Sequence, residues 1–235
     1  MGNLNNNRKI DCDGESTTEI NVFLRQAASE GVEEVEILNP HARHNLAVCI
    51  TDPIRLIFRG HVGHYCASLC DHVSAEVFGS AGWGVGDNLI SGEIVVHGNA
   101  ESAAAPSLRG GRVVVKGNVG PRSGLGLKSG DFIIGGNAGY MTGFMMQKGR
   151  IIICGDAASG LGDSMYAGAI YIGGEMDEVG NGIDILDPES EEVEEVRETI
   201  AKYGIAPPRK FKKLQSDGKL HHFDKKEFHV WKEVL

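Results

Sequence analysis

The sequence has no apolar run that approaches the roughly 20 residues of a membrane-spanning helix, and its first twenty residues are polar. No secretory signal is visible, so a cytoplasmic protein is expected, with no membrane partner. Basic charge is in deficit: 23 Lys and Arg against 32 Asp and Glu leave a net charge of −9. Nucleic acid is thereby set aside as a primary partner, because phosphate neutralisation supplies most of such affinity. Proline is scarce, at 7 residues, and no collagen period is present. The five cysteines (Cys12, Cys49, Cys66, Cys70, Cys154) are an odd count in a chain without a signal, which reads as reduced thiols. There is also no Ser-His-Asp order, no pair of buried carboxylates and no cysteine marked as activated. Cys154 sits at a strand end beside a turn, a position that does not by itself fix its reactivity. No catalytic constellation stands out.

Glycine is what the chain has in excess: 33 of 235 residues, about twice the ~7% of an ordinary globular protein. The excess is periodic. Glycines that close apolar strands fall at Gly60, Gly79, Gly98, Gly117, Gly136, Gly155 and Gly174, nineteen apart each time. Before each one stand two residues that alternation turns to the same face: Leu56/Phe58, Ala75/Val77, Ile94/Val96, Val113/Val115, Phe132/Ile134, Ile151/Ile153 and Ile170/Ile172. Two residues after it comes a smaller apolar one (Val62, Ala81, Ala100, Val119, Ala138, Ala157, Met176). Ten after it comes a larger one (Cys70, Leu89, Leu108, Leu127, Met146, Met165). Further glycines at Gly92, Gly111, Gly130, Gly149 and Gly168 turn the chain towards the next strand.

No helix fits inside a 19-residue unit with glycine at both corners. The predicted fold is therefore all-β: a single-stranded, right-handed parallel β-helix of about seven coils, each burying its apolar face against its neighbours. A polar column, Asn99, Asn118, Asn137, Asp156 and Glu175, follows the closing glycines. Stacked amides hydrogen-bonding along the rod axis are expected there.

Flanking segments divide the chain into three parts. Residues 1–36 read as a small αβ cap, with a short strand over Arg8–Cys12, a capping box at Ser16 and Glu19 opening a helix to about Glu30, and a strand over Val32–Leu38. Residues 37–186 form the β-helix. Its start is a degenerate coil in which His41 takes the glycine position. Residues 187–235 form an amphipathic helix and a docking tail. Asp187-Pro188 is read as its N-cap and first residue, Val193, Val196, Ile200 and Tyr203 as its stripe, and Lys202 and Gly204 as its end. The tail is basic with spaced aromatics, including Arg209, Lys210, Phe211, Lys212, Lys213, Phe223, Lys225, Lys226, Phe228 and Trp231.

Two motifs invite chemistry. Gly82-Trp83-Gly84-Val85-Gly86 has the letters of a dinucleotide fingerprint, but it sits at repeat corners and no helix follows to meet a pyrophosphate. His61, His64, Cys66, Cys70 and His72 crowd one coil, as zinc ligands do. Zinc sites prefer two close Cys-x₂₋₄-Cys pairs and only one half is present, so packed or corner residues are expected.

At the repeat the sequence resembles the GXGXG domain that closes the large subunit of glutamate synthases. The resemblance is carried by Gly136-Asn137-Ala138-Gly139-Tyr140-Met141-Thr142-Gly143, Gly155-Asp156-Ala157-Ala158 and Leu161-Gly162-Asp163-Ser164-Met165. Upstream, Leu38-Asn39-Pro40-His41-Ala42-Arg43-His44-Asn45-Leu46-Ala47 looks like the lead-in of its free-standing form, and the similarity spans about residues 35–180. Free-standing versions are subunits of split glutamate synthases and of N-methylglutamate synthase (methylamine–glutamate N-methyltransferase). The run from Gln147-Lys148-Gly149-Arg150 to Met165-Tyr166 looks closest to these. The β-helical subunit of formylmethanofuran dehydrogenase shares the repeat and is the alternative.

The resemblance implies a structural, non-catalytic subunit. Its partners would be a glutaminase-type amidotransferase subunit, which releases ammonia, and an FMN-dependent glutamate synthase-like subunit with an iron–sulfur cluster, with a homo-oligomer also expected. FMN and the cluster would belong to those partners. No catalytic, cofactor or metal position carries over, since no cysteine nucleophile follows Met1 and no iron–sulfur cysteine cluster is present. From a different class, a self-contained enzyme or ligand-binder would use the Asn/Asp column or the His cluster.

Overall fold

The computed structural model describes residues 7–218. Nine parallel strands stack in chain order: β1 (Asn7–Asp11), β2 (Glu34–Leu38), β3 (Ile54–Arg59), β4 (Val73–Val77), β5 (Gly92–Val96), β6 (Arg112–Val115), β7 (Asp131–Ile134), β8 (Arg150–Ile153) and β9 (Ala169–Ile172). From β3 to β9 the paired residues of neighbouring strands are nineteen apart, as Val113 is from Phe132 and Phe132 from Ile151. The chain is thus a parallel β-helix of about seven coils. All seven inward pairs predicted from the repeat are buried, none more than 1% exposed. The second wall runs as single parallel bridges from Val62 through Ala81, Ala100, Val119, Ala138 and Ala157 to Met176. Cys70, Leu89, Leu108, Leu127, Met146 and Met165 complete the interior.

The amino-terminal segment extends this core. α1 (Thr17–Ser29) starts at Ser16, whose hydroxyl accepts the Glu19 N–H while the Glu19 carboxylate accepts the Ser16 N–H. Ile20, Leu24 and Ala27 face inward and join one continuous cluster with the rod interior. No helix among the described residues is long and apolar enough to cross a membrane.

The first coil departs from the predicted register. Val35 pairs with Leu56 and Leu38 with Arg59, an offset of 21 rather than 19. Asn39, not His41, therefore follows the strand where Gly60 follows β3. The coil's bends hold left-handed non-glycine residues, among them Asn39 (φ 51°), Ala42 (φ 52°) and Asn45 (φ 57°). Two extra residues erase the glycine signal while leaving the hydrogen bonds to the next coil, such as Ala42 N–H to His61 O at 2.9 Å.

The carboxyl-terminal segment departs further. After β9 the chain forms β10 (Ile183–Leu186), α2 (Ser190–Ala201) and β11 (Lys212–Ser216). β11 inserts between β9 and β10 and is antiparallel to both: Lys213 pairs with Tyr171 and with Leu186. Residues 207–216 are thus no free docking tail. Phe211 and Leu214 are buried, and the strand covers the edge of the last coil. Phe223, Lys225, Lys226, Phe228 and Trp231 lie outside the described residues. The N-cap of α2 is Glu189, whose N–H is accepted by Glu192, not Asp187, which pairs instead with Lys212 at 2.7 Å.

α2 lies on the outer face of the sheet. Val196 and Ile200 pack on Val95, Val114, Ile133, Ile152 and Tyr171, with Val193 and Tyr203 at the margin. The helix runs along the rod, since Glu192 meets Tyr171 of β9, Glu195 meets Arg150 of β8, and Tyr203 meets Arg112 of β6 and Glu93 of β5.

Candidate functional site

The corner after each strand carries a ladder of side-chain acceptors. His61 Nδ1 accepts the Ser80 N–H at 2.9 Å, and Ser80 Oγ accepts the Asn99 N–H at 3.2 Å. Asn99 Oδ1 accepts from Asn118 at 2.8 Å, Asn118 from Asn137 at 2.8 Å, Asn137 from Asp156 at 2.9 Å and Asp156 from Glu175 at 2.8 Å. The stacked amides hydrogen-bond along the rod axis as expected, and each does so by capping the backbone N–H of the next coil. That arrangement leaves no room beside the closing glycines. A Cβ on Gly136 would overlap Asn118 Oδ1, with Gly117 C and O 2.9 Å away. These glycines after Gly60 do not have a positive φ, so close approach of coils is what requires them.

A second ladder begins at the first coil. His44 Nδ1 accepts the His64 N–H and His64 Nδ1 accepts the Trp83 N–H, both at 2.9 Å. The two imidazoles stack 4.1 Å apart and within 3° of parallel, and Trp83 tilts against His64 at 5.4 Å. Between the ladders lies an open groove of about 460 Å³, lined by His44, His61, His64, Ser80, Asn99 and Glu101 over the buried Val62, Ala81 and Ala100.

The hydrogen bonds settle the tautomers of the three rings. A nitrogen that accepts a backbone N–H carries no proton, so the ring proton sits on Nε2. Metal-ligating histidines do the reverse, donating from one nitrogen to an acceptor and ligating with the other. His44, His61 and His64 thus accept at Nδ1 and have Nε2 left to donate.

The rest of the crowded coil points elsewhere. Cys66 and Cys70 face the interior, and the Cys70 thiol donates to Ala47 O at 3.1 Å. Burial pushes both thiols up, Cys70 to about 11. His72 is exposed beside Asp71, 3.1 Å away. Among the described residues no three His, Cys, Asp or Glu side chains are placed to hold a metal ion. In the glycine motif, Gly84 and Gly86 have φ of 69° and 70° at a corner, and no helix follows. Buried hydroxyls serve the backbone: Ser123 donates to Gly120 O and Thr142 to Gly139 O, both at 2.9 Å. The Cys154 thiol, half-buried under α2, is pushed up to about 11 by burial.

A polar clamp beneath α2 is not among the features predicted from the sequence. Asp131 accepts from Arg112 and from Arg150, each at 2.8 Å. Arg150 also donates to Glu195 at 2.7 Å, while Tyr203 accepts from Arg112 at 2.8 Å and donates to Glu93 at 2.9 Å. Burial raises the Asp131 carboxyl, but hydrogen bonds from Arg150 and Arg112 outweigh it and hold the group below the usual carboxylate range. A signal for the clamp exists: Arg112, Asp131 and Arg150 occupy one column at nineteen-residue spacing, with alternating charge. Tyr171, beside Glu192, is pushed up to about 12, mainly by burial.

Among the described residues the arrangement is that of a stacked rod with a clamped helix and, between its two ladders, an open groove. No protein-family model matches the chain. Over 61 residues it is 43% identical to protein GlxC of Rhizobium meliloti (strain 1021). The matched stretch covers 26% of this chain and 27% of that protein, so the chain spans about a quarter of the length of this relative.

Proposed function

We propose that this chain is a non-catalytic scaffold subunit of a glutamate synthase-type amidotransferase complex that forms glutamate or N-methylglutamate. The observation that carries the reading is the regular GXGXG repeat, which resembles the closing domain of glutamate synthases. Its polar side chains are spent on holding coils together. The 61-residue similarity to protein GlxC adds support at the level of a related subunit. In this role the rod would hold a glutaminase-type subunit beside an FMN and iron–sulfur synthase subunit, both supplied by other chains. Rigidity suits that task, because ammonia passed between two active sites needs a fixed distance between them.

The test is a gentle affinity purification of the full chain from its native cells, followed by identification of co-purifying chains and assay of flavin and iron. Recovery with an amidotransferase and a flavin and iron–sulfur subunit is the expected result. Recovery alone, at every ionic strength tried, refutes it. Molybdenum or tungsten in place of flavin moves the chain to the formylmethanofuran dehydrogenase side.

A further inference from the structure

One stretch of the surface runs against the acidic charge of the whole molecule. Arg109, Lys128 and Lys148 lie on three successive coils, at the bend that precedes β6, β7 and β8. Lys128 stands nineteen residues after Arg109, and Lys148 one place beyond Gln147, which holds the same column; the Lys128 N–H meets Leu108 O at 2.8 Å and the Lys148 N–H meets Leu127 O at 3.3 Å. None of the three makes an ion pair among the described residues; Arg109 donates only to Asn88, at 3.2 Å. Exposed apolar side chains bracket the row: Ile90 on the coil before, Met145 on the coil of Lys148, and Tyr166 on the coil after.

The complementary row is on α2. Glu191, Glu194 and Glu198 are exposed, share one helix face and have no ion-pair partner among the described residues. Adjacent coils are ~4.8 Å apart, so the basic row spans roughly 9.6 Å. Seven residues of helix at 1.5 Å each place Glu191 and Glu198 about 10.5 Å apart. The two rows match in length. They also match in direction, since α2 runs along the rod axis, as its contacts with Tyr171, Arg150 and Arg112 establish.

The basic row borders the sheet face that α2 covers, and the acidic row stands on the side of α2 turned away from that sheet, opposite Val196 and Ile200. Arg109, Lys128 and Lys148 stand two or three residues before Arg112, Asp131 and Arg150, the strand-opening residues that clamp α2. A two-fold axis across this α2-bearing face sets the carboxylate row of each copy on the basic row of the other, closing the assembly. We propose that this face is the docking surface for a second copy of the chain, with Glu191, Glu194 and Glu198 of each copy seated on Arg109, Lys128 and Lys148 of the other. The inference does not depend on the proposed catalytic partners.

The full chain is examined by sedimentation velocity across protein concentration at 50 mM and 500 mM NaCl. Twice the monomer mass is expected at low salt, with Kd at least ~tenfold weaker at high salt, where exposed charges are screened. Two reversed variants follow, Arg109→Glu/Lys148→Glu and Glu194→Lys/Glu198→Lys. Their side chains are exposed, so both should keep the wild-type melting temperature, which checks folding. Each alone should stay monomeric, and an equimolar mixture should form a heterodimer, because each supplies what the other lacks. A wild-type chain that is monomeric at low salt overturns the proposal. So does a dimer that both reversed variants retain, or a mixture that fails to pair.

Discussion

Gly136→Ala is a single methyl placed where two coils touch, and its cost can be worked out beforehand. Gly136 does not have a positive φ, so alanine meets no conformational penalty there. The methyl instead overlaps Asn118 Oδ1 and lies 2.9 Å from Gly117 C and O. The amide can swing away, but Oδ1 then no longer accepts the Asn137 N–H it holds at 2.8 Å, and an uncapped, poorly solvated N–H costs ~1–2 kcal/mol. The backbone of Gly117 cannot swing, and forcing one extra methyl into a packed contact costs ~1–3 kcal/mol more. The variant should lose about 2–5 kcal/mol, read by urea unfolding, or roughly 5–15 °C in melting temperature for a chain of this size. Gly14→Ala is the control: its φ is +86° but nothing lies within 4 Å of the new methyl, so it carries the conformational cost alone, ~1 kcal/mol. Asn118→Ala combined with Gly136→Ala should cost less than the two separately, because the overlapping oxygen is gone. A Gly136→Ala chain within about 0.5 kcal/mol of wild type, or strictly additive costs in the double variant, would refute close approach as the reason for the glycine.

Three other outcomes are expected. Asp131→Ala strands the half-buried guanidiniums of Arg112 and Arg150 and should cost ~2–4 kcal/mol in a thermal melt; because the wild-type carboxyl is held below its ordinary value, its contribution is present above about pH 4 and fades as pH falls below it, so Asp131→Asn should flatten the acid limb of stability against pH. Leu214→Ala removes a fully buried side chain from β11, which should cost ~2–4 kcal/mol and, by loosening the strand that covers β9, raise light scattering on incubation. Towards a thiol reagent at pH 8, Cys49 should react quickly as the exposed cysteine, while Cys66, Cys70 and Cys154, whose thiols burial pushes up, should react only after unfolding.

Where the repeat holds its count, sequence periodicity carries the fold almost residue by residue, because each column of the rod recurs every nineteen positions. The outer face is encoded as well, in a pattern that the inward pairs overshadow. Val95, Val114, Ile133, Ile152 and Tyr171 make the strands apolar on both faces, the mark of a sheet covered on both sides, and the stripe of α2 is what covers them. Periodicity fails where the chain changes length or direction. The first coil is two residues longer, so counting in nineteens lands on His41 instead of Asn39. β11 is antiparallel and outside the repeat, so Lys212 and Lys213 look like a basic tail. The histidine groove is half visible: His61 and His64 stand out as metal candidates, but their role rests on which ring nitrogen accepts a backbone proton, and no spacing rule encodes that. Glu189 is hidden as N-cap because Asp187-Pro188 matches the common start signal more closely.

The closing strand also sets a schedule for biosynthesis. Lys212 pairs with Ile172, forty residues earlier in the chain. Coils can stack one by one behind the ribosome as they emerge, but the last of them waits, open-edged, while β10 and all of α2 are made. During that interval a nascent rod presents a ready template to any neighbour being translated on the same message. A stop codon placed anywhere between Ile172 and Lys212 would make that interval permanent, and the product should polymerise end to end rather than merely lose stability.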